Sequence, residues 1–244
     1  MNVIFFGYRK WSYQILKNLL RENDKQWKIV TAITIPKPEA NFSALQIPCL
    51  KVNPKTLDKE IATLEKYTPE IFLFYGWSWM IPPSLYKSHL CLCLHTSPLP
   101  KYRGGSPLQH QIIRGEKTSA VSIFRMVKEL DAGDIYGQKT FSLNGTINNI
   151  FDRIVKTGSE ETIKVLDGLV KNELKPIRQN ELHATFYKRR KAEESELTIE
   201  DFRTKTAQEL YNFIRSLGDP YPNAFIKCKN GKKLFFKKVS IEKI

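Results

Sequence analysis

The sequence predicts an α/β fold: a Rossmann-like, doubly wound, mostly parallel sheet with a small α+β appendage at the carboxyl end. Three observations carry this. Short apolar runs (Val3–Phe6, Ile71–Tyr75, Leu90–His95) alternate with segments of helical spacing through the first two thirds of the 244 residues, the rhythm of βαβ units. That rhythm breaks beyond about Pro176. Asn230-Gly231 then stands between two apolar runs, a two-residue hairpin signal.

Taken in order, Val3–Phe6 reads as the first strand, ending at Gly7. Tyr13–Leu20 has helical apolar spacing and Lys28–Ile35 reads as the second strand. Leu57–Tyr67 is helical, Ile71–Tyr75 a buried strand, Pro82–Lys87 a short helix and Leu90–His95 a further strand. Ser106–Arg114 begins a helix with Pro107 in its first turn, where a missing N–H is tolerated. Ala120–Met126 and Ile135–Phe141 are strands flanking a turn at Asp131. Ile147–Leu174 is a long helix capped by Thr146 or Asn144. A strand at Thr185–Lys188, a helix at Ala207–Leu217 and a hairpin of Phe225–Lys229 with Leu234–Val239 follow. A boundary near Asn180 divides a catalytic domain, 1–180, from a subdomain, 181–244, that contacts substrate or packs on a second subunit.

Lys and Arg number 39 against 25 Asp and Glu, a formal charge of +14. Such a surface suits tRNA, a nucleotide sugar or an anionic membrane. The basic residues are spread along the chain, with local clusters only at Lys188–Lys191 and from Lys232-Lys233 to Lys237-Lys238, so the charge reads mostly as a solvated surface. No apolar run approaches a bilayer-spanning length, and the first residues lack the pattern of a signal peptide. Cys49, Cys91, Cys93 and Cys228 have no zinc spacing, and two cysteines one pleat apart are poor disulfide partners. A cytoplasmic, thiol-reduced protein without a metal is expected. No Gly-x-Gly-x-x-Gly follows the first strand, so no dinucleotide is implied; Gly7-Tyr8-Arg9-Lys10-Trp11 instead offers Arg9 or Lys10 to an anionic substrate.

The chemistry concentrates between Leu90 and Pro107. Period two puts Cys91, Cys93 and His95 on one strand face, and His95 stands at the carboxyl end, where open α/β sheets gather ligands. Pro98, Pro100 and Pro107 stiffen the following loop, and Gly104-Gly105 admits positive φ or a close approach to a ligand. A histidine at a strand end is more often structural than catalytic, and an acid in Asp131-Ala132-Gly133-Asp134 is more often a turn former. Their occurrence together favours catalysis.

His95-Thr96-Ser97-Pro98-Leu99-Pro100-Lys101-Tyr102-Arg103-Gly104-Gly105-Ser106-Pro107 resembles the signature loop of the formyltetrahydrofolate-dependent formyltransferases, and Leu130–Ile135 is similar to their second motif. The segments 184–200, around Arg190, and 220–225, Pro-Tyr-Pro-Asn-Ala-Phe, resemble motifs in the carboxyl-terminal part of the same group. The resemblance implies that a substrate amine attacks the formyl carbon of N10-formyltetrahydrofolate, with His95 donating to the oxyanion or moving a proton and Asp131 orienting and charge-stabilising it. It implies that Tyr75, Trp77, Met80, Val127, Leu130 and Asp131 line the folate site. One departure stands out: the family has asparagine where this chain has Cys93, a shorter and weaker donor for the oxyanion.

The likeness is greatest to the nucleotide-sugar N-formyltransferases. A 3- or 4-amino deoxysugar destined for a surface polysaccharide such as O-antigen is the expected acceptor, and a homodimer the expected state. Tyr8, Arg9, Trp11, Ser97, Tyr102, Arg103, Gly104, Gly105, Arg190 and Tyr221 are the expected substrate contacts, with no nucleic acid or membrane as partner. The alternatives are a methionyl-tRNA formyltransferase-like enzyme and a weakly catalytic folate- or nucleotide-binding relative.

Overall fold

The computed structural model describes residues 1–22, 24–219 and 221–242. Pro220 of the expected carboxyl-terminal motif lies outside the described residues. The central sheet has seven strands in the order β3-β2-β1-β4-β5-β7-β8: β1 (Asn2–Gly7), β2 (Lys28–Thr34), β3 (Cys49–Lys51), β4 (Ile71–Tyr75), β5 (Leu90–His95), β7 (Thr118–Arg125) and β8 (Ile135–Ser142). The first five run parallel; β7 pairs antiparallel with β5, and β8 with β7. The expected fold class is therefore present.

Alternation of side chains along the strands builds a core on each face. On one face Val3, Phe5, Leu73, Tyr75, Leu92 and Leu94 pack with Ile15 and Leu16 of α1 (Lys10–Leu19) and Ile150 and Ile154 of α5 (Ile147–Val170). On the other, Ile4, Phe6, Phe72, Phe74 and Cys91 pack with Leu57, Leu64 and Leu85. Leu64 belongs to α2 (Ile61–Glu65) and Leu85 to α3 (Pro83–Ser88). Thr146 caps α5, exchanging bonds with Asn149, so two otherwise orphaned donors are satisfied.

Several boundaries differ from expectation for local reasons. The helix expected over Leu57–Tyr67 divides into a 3₁₀ segment (Pro54–Glu60) and α2. Pro69 then disfavours helical backbone at Thr68, which is left-handed at φ 47°. The long helix stops at Val170, and Asn172 is left-handed at φ 55°. In the hairpin of β10 (Ala224–Lys227) and β11 (Lys233–Phe236), Gly231 N donates to the Cys228 carbonyl and Cys228 N to that of Lys232. The loop is thus three residues, with Gly231 at φ 75°, rather than a two-residue turn.

The carboxyl-terminal part is docked on the loop after β5. β6 (Arg103–Gly104) pairs parallel with β9 (Phe186–Tyr187). A Cβ on Gly105 would lie 2.4 Å from Arg189 Cα, so the pairing requires a residue without a side chain there. α6 (Ile199–Thr204) and α7 (Ala207–Ser216) follow, and Phe213, Ile214, Leu217, Leu197 and Ala224 form a small core that takes in Ile113 of α4 (Pro107–Ile113).

Two glycine substitutions separate these constraints. Gly105→Ala should cost roughly 1–3 kcal/mol through the clash and lower activity by displacing β6. Gly231→Ala meets nothing within 4 Å and should cost only the left-handed penalty, about 1–2 kcal/mol, with activity retained. Thermal unfolding beside turnover checks both; loss of activity in Gly231→Ala, or none in Gly105→Ala, contradicts the assignment.

Candidate active site

β5 delivers His95 to the end of the sheet, and the backbone beyond it returns to grip the imidazole. His95 Nε2 donates to the Tyr102 carbonyl at 2.8 Å; a carbonyl only accepts, so Nε2 carries the proton. The other nitrogen, Nδ1, stands 3.6 Å from Asp131 Oδ2. That is too long for a hydrogen bond and short enough for an ion pair once the ring is protonated. The same carboxylate oxygen accepts the Gly104 amide at 2.8 Å. Tyr102 and Asp131, which meet the two ring nitrogens, have positive φ of 60° and 52°, and Ser106 further along the loop 53°, so strained backbone stands on both sides of His95.

Asp131 reaches this point because the chain doubles back after β7. Met126 N donates to the Cys91 carbonyl at 2.7 Å, and Met126 packs against the second core. Gln179, buried at 5 % exposure, donates to the carbonyls of Asp131 and Gly133 at 2.9 and 2.7 Å. Its oxygen accepts from Arg103 Nη2 at 2.8 Å, and Arg103 also binds Glu181 at 2.7 Å. Arg103 is 1 % exposed. Its guanidinium is therefore engaged inside the chain and not presented to the expected substrate.

Other expected site residues are also fasteners. The Ser97 hydroxyl, fully buried, donates to the Lys101 carbonyl at 2.7 Å. The Tyr102 phenol donates to Glu116 at 2.8 Å and its ring stacks on Tyr187. Gly104 and Gly105 make a close approach, but to β9 of the same chain. Tyr75 lies at 0 % exposure in the first core with its hydroxyl 2.8 Å from that of Thr162, so it presents no surface to a ligand, contrary to its expected place in the folate site.

β4 and β7 flank Cys93, which pairs with Phe74 and Phe124. Trp77, just after β4, and Met126, just after β7, pack on the same core as Cys93, Val127 is partly exposed, and Met80 and Leu130 present apolar side chains at 67 % and 52 % exposure. Burial, and secondarily the charge of Asp131, pushes the Cys93 thiol well up, so it is a neutral S–H and a weak donor. Burial pushes Cys91 up to about 12.

A second group gathers at the mouth of β1. The Tyr8 hydroxyl bonds Ser78 at 2.8 Å, and Arg9 pairs with Glu39. Arg9, Trp11, Trp77, Arg190 and Tyr221 line one cavity of about 220 Å³ that reaches Thr96, the residue after His95. Trp11 and Phe151 also line a neighbouring cavity of about 750 Å³. Gln179, Glu181, Gln109 and Phe151 were not singled out by sequence reasoning; isolated polar or aromatic residues outside a motif carry no local signal. Among the described residues no group of three or more His, Cys, Asp or Glu is placed to hold a metal, and no helix is long and apolar enough to cross a membrane.

Residues 1–166 match the family described as formyl transferase. The chain belongs to that family. Its chemistry is accordingly formyl transfer. It is 30 % identical over 248 residues to a methionyl-tRNA formyltransferase of Halalkalibacterium halodurans, covering 96 % of this chain and 76 % of the relative. A solved methionyl-tRNA formyltransferase from Clostridium thermocellum is 30 % identical, with a TM-score of 0.77 and coverage of 99 % of this chain and 94 % of that one. A 4-N formyltransferase from Francisella tularensis, 20 % identical, superposes with a TM-score of 0.81 over 100 % of this chain and 98 % of that one; at that identity the likeness is one of fold.

His95→Asn should lower formyl transfer by at least about a hundredfold with the thermal midpoint little changed. A near-normal rate removes His95 from the chemistry. Cys93→Asn should raise turnover, by as much as roughly 10²-fold if a full oxyanion donor is regained; an unchanged rate shows that another donor already serves. Iodoacetamide at pH 8 should label exposed Cys228 well before Cys93 or Cys91, which peptide mapping reads directly.

Proposed function

We propose that this formyltransferase moves the formyl group of N10-formyltetrahydrofolate to the amine of a nucleotide-linked 3- or 4-amino deoxysugar, a cytoplasmic step toward a surface polysaccharide. The observation that carries this reading is the cleft beside Thr96: about 220 Å³, lined by Arg9, Arg189 and Arg190 with no acidic side chain, and sharing Trp11 and Phe151 with the larger cleft beside it. A compact acceptor with phosphates and a flat base matches such a shape and charge.

For the donor, Met80 and Leu130 offer exposed apolar surface in the loops that follow β4 and β7. This fits a flat, partly apolar pterin, with Trp77 at the boundary between the two sites. When bound, the folate supplies an electrophilic formyl carbon. His95 Nδ1 takes the proton that the amine loses on attack, while Tyr102 holds Nε2 and Asp131 stabilises the resulting imidazolium; the same proton passes to N10 as the carbon–N10 bond breaks, releasing tetrahydrofolate and the neutral imidazole. Cys93 S–H is positioned on the same strand face as a donor for charge developing on the formyl oxygen.

A second reading, formylation of methionyl-tRNA, is favoured by the 30 % identity to the Halalkalibacterium enzyme. Release of folate from formyltetrahydrofolate, followed with dTDP- and UDP-linked amino sugars beside initiator methionyl-tRNA, decides between them. A nucleotide-sugar enzyme should use at least one sugar, with a KM that changes only modestly with salt; several phosphate contacts to tRNA would lose orders of magnitude of affinity between low and physiological salt. Efficient formylation of the tRNA and of no sugar overturns the proposal.

A further inference from the structure

The site acid is aimed by its backbone, and that backbone is held from a distant part of the chain. Asp131 is left-handed at φ 52°, a conformation that a residue with a side chain keeps only when its surroundings impose it. The turn around it is closed at the neck, where Arg125 N donates to the Asp134 carbonyl at 2.9 Å. Among the described residues the partner of the Asp131 carbonyl is Gln179, whose Nε2 donates to it at 2.9 Å and to the Gly133 carbonyl at 2.7 Å.

Gln179 reaches this turn because its segment is hooked onto the first residue of β8. Ile135 and Ile177 exchange both main-chain hydrogen bonds at 2.8 Å, which brings the chain between α5 and β9 alongside the turn's exit. At its other end the Gln179 amide oxygen accepts from Arg103 Nε at 3.1 Å and Nη2 at 2.8 Å. Donors on one side and an acceptor on the other suit an amide alone. A carboxylate would repel the two carbonyls, and an ammonium would face the guanidinium.

Among the described residues Asp131 is the acid within ion-pair range of His95, 3.6 Å from Nδ1. The other groups around the ring bring no charge to it. Cys93, on the same strand, is a neutral thiol, and the Phe124 ring of β7 meets the imidazole edge-on at 6.5 Å. Tyr102 offers its carbonyl while its phenol turns to Glu116, and the Arg103 guanidinium is committed to Gln179 and Glu181.

We infer that Gln179 is a positioning residue for formyl transfer: through the Asp131 carbonyl it holds the acid in the left-handed turn that keeps its carboxylate beside His95. It does this without touching the imidazole. Released from Gln179, Asp131 relaxes toward ordinary backbone, its carboxylate swings away from the ring, and the imidazolium loses its counter-charge.

The inference rests on the reading of Asp131 as the group that stabilises the His95 imidazolium, and its main test needs no donor or acceptor. Ring signals of the four histidines are titrated by NMR in the intact protein, with His95 assigned by the signal missing from His95→Asn. Gln179→Met removes both ends of the amide and Gln179→Asn draws it back by one methylene; neither changes the charge. Both should move the His95 titration midpoint to lower pH, in the direction of Asp131→Asn, with His89 and His110 unmoved. Glu181→Gln weakens the other partner of Arg103 and should leave the His95 midpoint in place, whatever it does to thermal stability. With an acceptor that is formylated, kcat should fall about tenfold or more in both Gln179 variants while KM stays within about twofold. A His95 midpoint unchanged or raised in both Gln179 variants, or lowered as far by Glu181→Gln, overturns the inference and leaves the Asp131 reading standing. A midpoint that Asp131→Asn itself does not lower overturns both.

Discussion

Two main-chain hydrogen bonds set the geometry of the site: the Tyr102 carbonyl holds His95 Nε2, and the Gly104 amide holds Asp131 Oδ2. Main-chain groups in a paired strand cannot rotate away as side chains do, so imidazole and carboxylate keep a fixed relation without bonding each other. The 3.6 Å gap between them follows from this. With the proton on Nε2 and the acid 3.6 Å away, Nδ1 of the neutral ring keeps a free lone pair, as the proposed proton transfer requires. The grip extends further, since Arg103 N donates to Thr185 and Gly105 N to Tyr187. The carboxyl-terminal segment thereby clamps the catalytic loop from both sides of Arg103.

That clamp carries a costly group at its centre. A guanidinium at 1 % exposure is stable only when its donors are met, and Gln179 and Glu181 meet them. Gln179 is the pivot, because its amide nitrogen also fixes the Asp131 and Gly133 carbonyls. One buried side chain therefore couples β6 to the acid's loop, and the left-handed backbone at Tyr102 and Asp131 persists because these contacts over-determine it. Stability from the two large cores tolerates this local expense.

The strands were legible because each apolar run is short and bounded, and His95 because period two ends at it. The Asp131 turn was legible from its motif, and Gly133 shows why: a Cβ there would lie 1.9 Å from the Arg125 carbonyl. What sequence could not give was direction. An arginine in a glycine-rich loop reads as a substrate contact; here its partners lie at Gln179 and Glu181, more than seventy residues on, and turn it inward. Tyr75 failed for a related reason, since a strand buried on both faces does not reveal which face a residue joins. The glycines signalled a close approach without naming the approaching group, which proved to be β9. The three-residue hairpin loop shows that Asn-Gly marks a turn more securely than it fixes the turn's length.

Net charge says little about any one site because it counts paired and solvated cations equally. Of the arginines lining the small cavity, Arg9 is neutralised locally by Glu39, while Arg189 and Arg190 are not paired among the described residues. An anion entering that cleft would meet this local imbalance rather than the +14 spread over the surface. Cys93 belongs to the same logic on the donor side. Burial, and secondarily the charge of Asp131, pushes it well above its ordinary range, so it remains a neutral thiol and, in the proposed mechanism, adds no negative charge near the developing oxyanion. A weak donor that does not repel the developing charge is a smaller loss than an anion at that position would be, which gives a physical reason why a cysteine is tolerable there.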